Sequence, residues 1–341
     1  MKDQMNALPM GRGEFVALMA MLVATIAFSI DSMLPALPEI AAELSPHDPA
    51  RASLILTSFV LGMGIGTFFT GPLSDAFGRR TIIFAGAALY VIAAAVAWAS
   101  ASLESMLAAR VVQGLGAAGP RVVSLAVMRD LFSGREMARI VSIVMMIFTI
   151  VPAIAPMLGL GIIWAFGWRA IFIAFMVFSA ISVLWFARRL PETLPVENRR
   201  PIRIALMGDA IKQLFANPTV RLSIVVQTLA MAMLFAVLML VQPIFSVVFD
   251  RAQSFPFWFG FIAFLSGSSS LLNAVLVVRV GMRRLVTWAL GIQIILSGIM
   301  LALIGNTGDY SFALFIIWQF FLFFQAGLTM GNLNAIAMEP M

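Results

Sequence analysis

The sequence predicts an all-α polytopic membrane protein with ten transmembrane helices, and three observations carry that expectation. Hydrophobic residues make up 62% of the 341 positions and charged residues only 11%, too little polar surface to coat a water-soluble globule. The apolar residues gather into ten windows of about 18 or more, the length a helix needs to cross lipid while satisfying its own backbone polar groups. The cations are sorted as well. With the N-terminus taken as cytoplasmic, 17 of the 22 Lys and Arg fall at inside ends, three (Arg51, Arg169, Arg251) at outside ends, and two (Arg110, Arg121) within a span. β-Barrel strands would instead alternate polar and apolar residues over about ten positions.

Taken in order, the spans are 15–37, 52–71, 81–101, 103–128, 140–164, 170–187, 220–248, 255–278, 285–304 and 310–337. The opening "MKDQMNALPMGRGEF" is a short positive flank, but the apolar run behind it is longer than a signal-peptide core and has no clear cleavage site. The first span is therefore expected to stay. Between spans six and seven lies the longest polar segment, "RRLPETLPVENRRPIRIALMGDAIKQLFANPT", read as a cytoplasmic linker with a surface helix. It divides the chain into an N-terminal six-helix bundle (1–190), a linker (191–219) and a C-terminal bundle of four helices (220–341). A shift of 203 residues lays span three on span nine and span two on span eight, and "FGRR" at 77–80 falls over "VGMRR" at 280–284. Such a parallel repeat of six spans is a transporter architecture, with the pathway between the halves. The same repeat predicts a chain of about 400 residues, so the expectation is a twelve-span protein of which two spans are missing.

Several chemistries drop out at this stage. With no cysteine, disulfides and thiolate sites are excluded, and the single histidine, His47, leaves no Ser/His constellation in the membrane and no credible zinc site. The net charge of +6 reports orientation rather than a nucleic-acid partner, because the cations sit at helix ends. "GLGAAG", Gly114 to Gly119, satisfies the dinucleotide fingerprint, but no strand precedes it and it lies in a membrane helix. Its small residues, Gly114 and Gly116 among them, are expected to let helices approach closely, as is the Gly62-x-x-x-Gly66 pair in span two.

The polar stretch "GPLSDAFGRR" (71–80) separates spans two and three. Gly71-Pro72 and Gly78 permit a tight reversal there, and the cations anchor it on the inside. This stretch resembles the loop signature of the major facilitator superfamily through Gly71, Leu73, Asp75, Gly78, Arg79 and Arg80. A second signature of that family, in span four, is matched by Arg110, Gln113, Gly114, Gly116, Ala117 and Ala118. With "DSMLPALPEIA" in span one and "RDLF" after span four, the chain is similar to the drug:proton antiporter branch, in particular the bicyclomycin and chloramphenicol exporters. The resemblance implies a major facilitator fold and a non-enzymatic protein of the bacterial inner membrane, monomeric in lipid. Its partners would be a small-molecule drug and protons, with the proton gradient in place of a cofactor. It also implies a conformational latch, with Asp75 directed toward the start of an eleventh helix and Arg79 toward Asp130.

Of the sixteen acids only Asp31 lies well inside an apolar span, which makes it a functional candidate. Counting rise per residue places Asp31 and Arg110 both about 9 to 12 Å inside the outer surface, so the two are expected to meet. An Asp poised between apolar surroundings and a guanidinium can exchange a proton as access alternates, with Arg110 tuning it. Arg110, Gln113, Gly114, Ala117 and Arg121 share one helical face, a polar stripe expected to line a cavity. Gln227, Gln242, Asn273, Gln325 and Asn332 are further candidates for cavity lining, with ordinary interhelical hydrogen bonding as the competing role. Span five, "TIVPAIAPMLGLG", is similar to the family's antiporter motif at Pro156 and Gly159, but Val151, Ala155 and Leu160 stand where glycines are expected. Two other functions stay open on the sequence: a proton-coupled metabolite symporter, and a nontransporting chain with a structural or interaction role.

Overall fold

The computed structural model describes residues 10–202, 208, 212, 215–303 and 310–338, with the backbone alone at 135, 138, 149 and 271. The surface helix expected in the linker falls largely outside these residues. Among the described residues there is no strand, and ten helical stretches are long and apolar enough to cross a membrane. The chain divides into two compact units, Met1–Ile202 and Arg203–Met341.

The first unit contains α1 (Arg12–Asp31), α2 (Leu37–Leu44), α3 (Leu54–Phe77), α4 (Arg79–Trp98), α5 (Leu103–Leu131), α6 (Gly134–Phe166) and α7 (Ala170–Arg189). Helix α5 begins where the Ser102 hydroxyl accepts the Ser105 N–H, and Glu104 in its first turn suits the positive end of the helix dipole. It then packs between α3 and α4 at backbone distance. A Cβ on Gly62 would overlap the Val111 carbonyl, one on Gly114 the Phe59 carbonyl, and one on Gly116 would stand 2.5 Å from the Tyr90 nitrogen. The small residues of span four are thus the contact surface of the bundle's central helix. At one end of the unit, Phe15, Leu18, Met19, Val127, Phe132 and Phe186 form an apolar core joining α1, α5 and α7.

One expectation needs correction, and two of the expected spans are present but interrupted. The reversal between spans two and three does not use Gly71 and Pro72: α3 runs through both to Phe77, and Gly78 (φ 97°) is the single residue between α3 and α4. Membrane helices tolerate such a proline, whereas a positive φ calls for glycine. Span one is not continuous. α1 stops at Asp31, a short 3-10 turn spans Leu34–Ala36, and α2 resumes at Leu37, with Pro35 and Pro38 unable to donate backbone hydrogen bonds. Span eight is likewise interrupted, at Gly267 within the serine-rich "SGSSS".

The second unit contains α8 (Pro218–Pro243), extended by a wide π turn over Ile244–Val248, then α9 (Phe255–Ser266), α10 (Ser268–Val280), α11 (Met282–Leu303) and α12 (Ser311–Met338). α8 starts at Asn217, whose side chain accepts the N–H groups of Thr219 and Val220. Helix α12 is the hub. Phe245 packs on Phe315 with centroids 6.0 Å apart, while Gln227 donates to Asn334 at 3.0 Å, so α8 and α12 run antiparallel. Gly281 (φ 84°) is the single residue between α10 and α11, and it lies 203 positions after Gly78. The internal repeat is therefore a repeat of backbone geometry.

Close packing at Gly114 carries a test. Gly114→Ala places a methyl against main-chain atoms that no rotamer change can move, and is expected to destabilise by about 1–3 kcal/mol. Gly64→Ala has nothing within 4 Å and should be neutral or slightly stabilising. Melting temperatures of the two purified variants in detergent check this.

Candidate functional site

The polar groups of the first unit gather in two places. Inside the bundle, Arg110 is fully buried (0% exposed). Its Nε donates to the Ile55 carbonyl at 3.3 Å, Nη2 to the Ser29 carbonyl at 3.1 Å, and Nη1 to Gln113 Oε1 at 2.7 Å. The guanidinium lies over the Phe59 ring, 4.4 Å from its centroid. The Ser29 hydroxyl meets that of Tyr90. α1, α3, α4 and α5 are thus tied together around one cation.

The expected pairing of Arg110 with Asp31 is not formed. Among the described residues Arg110 has no ion pair with a carboxylate, and the Asp31 carboxylate, 5% exposed, has no hydrogen-bond or ion-pair partner. The reason is rotation. Ser29 faces Arg110, and Asp31 is two residues on, about 200° around the helix. Counting depth was not enough. Asp31 instead marks the end of α1, where the chain breaks into the proline-bearing turn. α6 approaches that break closely, since a Cβ on Gly159 would overlap the Ser32 carbonyl. Pro156 lies within α6, which continues unbroken to Phe166. Beyond the break, Glu43 near the end of α2 accepts hydrogen bonds from Trp168 Nε1 and Arg169 Nη1, both at 2.9 Å.

Nor is the stripe on α5 one environment. Arg110, Gln113, Gly114 and Ala117 are buried, whereas Arg121 is exposed. The first four are packed inside the unit rather than lining an open surface.

The second cluster surrounds Gly78. Arg79, 7% exposed, donates from Nε to Asp130 Oδ2 at 2.9 Å and from Nη1 to Ser74 Oγ at 2.7 Å and to Asp75. Asp75 and Asp130 thus flank one guanidinium. Arg80 leaves this group, reaching the Ala187 carbonyl of α7 at 3.1 Å. Sequence reasoning missed Glu192, in "LPETL" just after α7. Its carboxylate accepts the N–H groups of Arg79 (2.9 Å) and Arg80 (3.0 Å), capping α4, while Thr193 donates to Asp130 at 3.0 Å. No local pattern signals a cap supplied from more than 100 residues away.

In the second unit most polar side chains are paired. Asn332 Nδ2 donates to Asn273 Oδ1 at 2.6 Å and to the Leu328 carbonyl at 2.7 Å, and Gln325 donates to Thr329 at 2.9 Å. Gln227 is half-buried and paired with Asn334, whereas Gln242 is 4% exposed. Two glutamines not anticipated from the sequence stand out. Gln319 is fully buried with neither amide atom partnered among the described residues, and Gln293 is 2% exposed with an unpartnered Oε1. The signal available was a lone Gln in each apolar run, "GIQIIL" and "IIWQFF". No group of acidic or histidine side chains suited to a metal ion occurs among the described residues.

The chain is similar to known transport proteins. It is 30% identical over 290 residues to the bicyclomycin resistance protein homolog of Haemophilus influenzae, covering 85% of this chain and 72% of that protein. It is 29% identical over 219 residues to multidrug resistance protein D of Escherichia coli, covering 64% of this chain and 52% of that one, about half its length. The fold matches the partially occluded inward-open xylose transporter XylE of E. coli with a TM-score of 0.70 at 13% identity, covering 96% of this chain and 86% of that one. The Major Facilitator Superfamily profile matches residues 17–341, and the chain belongs to that family of membrane transporters rather than to any class of enzyme.

Proposed function

We propose that the protein exports small amphipathic drugs, of the chloramphenicol or bicyclomycin type, in exchange for protons. Export proceeds by alternating access across the bacterial inner membrane, with the N-terminus cytoplasmic. The observation that carries this reading is Asp31, an acid buried without a partner among the described residues at the point where span one breaks. An ionised carboxylate held in such a place costs several kcal/mol unless it is paired, and a proton removes that cost. A change of access that admits water or substrate to Asp31 shifts the balance, which couples proton movement to conformation. The broken helix supports the same role, because discontinuous spans place ion and substrate sites at mid-membrane in transporter folds.

The drug class is supported by the names of the relatives, and the orientation by the bias of Lys and Arg toward alternate helix ends. Arg110 acts through structure: by holding the Ser29 carbonyl it fixes the last turn of α1 and hence the position of Asp31. Arg79, with Asp75 and Asp130, serves as the conformational latch, and Gly78 allows the turn that carries it. Arg121, Gln227, Gln242, Asn273, Gln325 and Asn332 are the proposed contributors to drug binding, while Gln113 serves by holding Arg110. Arg121 is the cation among them free to meet an electronegative group.

In proteoliposomes with an imposed pH gradient, Asp31→Asn is expected to abolish drug-driven proton movement and gradient-driven export while the protein inserts normally. Export at the parental rate would dispose of the assignment. Accumulation of substrate with the proton gradient, rather than expulsion against it, would favour the symporter. Arg110→Ala strips partners from the Ser29 and Ile55 carbonyls and from Gln113. It is expected to cost about 3–5 kcal/mol of stability, seen as a lower melting temperature, with export lost in proportion to folded protein.

A further inference from the structure

We infer that Gln293 and Gln319 form a neutral hydrogen-bonding subsite in the second unit, which takes an uncharged hydroxyl or amide group of the transported molecule. The inference rests on the transport reading above and names the chemistry of its ligand.

The first ground is the contrast among buried amides. Asn332 and Gln325 each donate to a partner within the unit, and the Trp318 indole donates to Ser297 Oγ at 3.0 Å. Gln319 has no partner for Nε2 or Oε1, and Gln293 has none for Oε1 among the described residues; Gln293 Nε2 reaches Ser297 Oγ only at 3.5 Å. Leaving a buried amide unmatched costs about 1–3 kcal/mol, whereas an apolar side chain of similar shape carries no such cost. Leu or Met would serve better at both positions if packing were their only task.

The second ground is position. The Trp318–Ser297 bond sets α11 against α12, Gln293 reaches the same hydroxyl from one turn earlier, and Gln319 follows Trp318 directly. From a third helix, Gln242 stands one turn from Phe245 as Gln319 stands one turn from Phe315. Because α8 and α12 are antiparallel and those two rings are in contact, both glutamines lie at one level. Three carboxamides from α8, α11 and α12 therefore occupy a common layer, each 4% exposed or less.

The third ground is charge. Helices α8 to α12 contain no acid, and their cations, Arg221, Arg279, Arg283 and Arg284, all lie in a first or last turn. A charged ligand group would find no counter-ion here and would bear its full desolvation cost. Carboxamides offer donors and acceptors without charge, which matches hydroxyls, amides and carbonyls.

Chloramphenicol, uncharged and bearing hydroxyl and amide groups, is the probe, with the tetraphenylphosphonium cation for comparison. The purified chain is melted with and without each compound, as parent, Gln319→Met, Gln293→Met and Gly64→Ala. The expected result has three parts. Both Met variants melt at or above the parental temperature without drug. Both lose the chloramphenicol-induced shift, with affinity at least about tenfold weaker. Gly64→Ala, where a methyl group meets nothing, keeps that shift. A Met variant that melts lower without drug would show that the amide has an internal structural partner, and would overturn the subsite. So would an unchanged chloramphenicol shift in the variants, no shift in the parent, or an equal loss of tetraphenylphosphonium response. Failure of the export reading is read separately, from proton coupling in Asp31→Asn vesicles.

Discussion

Arg110 is the interaction on which the first unit depends. A guanidinium buried in the membrane region without a carboxylate would be intolerable alone, but here its N–H groups meet carbonyls of α1 and α3 and the amide of Gln113, and its face rests on Phe59. Such an arrangement is directional in a way that apolar packing is not. It fixes the rotation of α1 as well as its depth, and so determines that Asp31 emerges on the opposite side of the helix from the cation. The closeness of α3 to α5 makes the arrangement possible: Gly62 and Gly114 let the two backbones touch, which brings the Ile55 carbonyl within reach of a side chain from α5.

The other end of the unit solves a similar problem with acids. Arg79 is almost as buried as Asp31, yet it is flanked by Asp75 and Asp130, and Glu192 caps the first turn of its helix. Thr193 and the backbone N–H of Arg200, which donates to the Asp75 carbonyl at 3.0 Å, join the same group. The start of the linker is thereby bonded to the turn at Gly78. The Asp75 side of this cluster is half-exposed and contributes little to stability by itself, whereas the Arg79–Asp130 pair is largely shielded from water.

What the sequence disclosed follows from which forces act locally. Apolar length predicted ten spans because lipid imposes that length on each helix separately, and Gly78 was readable as a turn residue, although Gly71 and Pro72 were read into the same turn. The break after Asp31 was also present in the text, in Pro35 and Pro38, but a hydropathy window averages over it. Azimuth was not legible: Asp31 and Arg110 stand at matching depths, and only the tertiary contacts of α1, the Arg110 bond to the Ser29 carbonyl among them, decide which way the acid turns. Glu192 was invisible for a different reason, since a cap supplied across 113 residues leaves no spacing to detect.

The two units handle polarity in opposite ways, and that difference bears on specificity. The first carries buried charges, each with a defined environment: a cation among carbonyls, a cation between acids, an acid at a helix break. The second has no charge away from its helix ends, and its interior polarity is made of amides and hydroxyls. A charge in lipid imposes strict demands on its surroundings and suits a proton site, where one state must differ sharply from another. Amides impose weaker and more interchangeable demands, and among the many Phe and Met side chains they suit a surface that must accept more than one neutral molecule. In the proposed cycle, coupling requires only that occupation of the amide layer favour one conformation and protonation of Asp31 the other, since a ligand shifts an equilibrium by its difference in affinity between the two states and by nothing else.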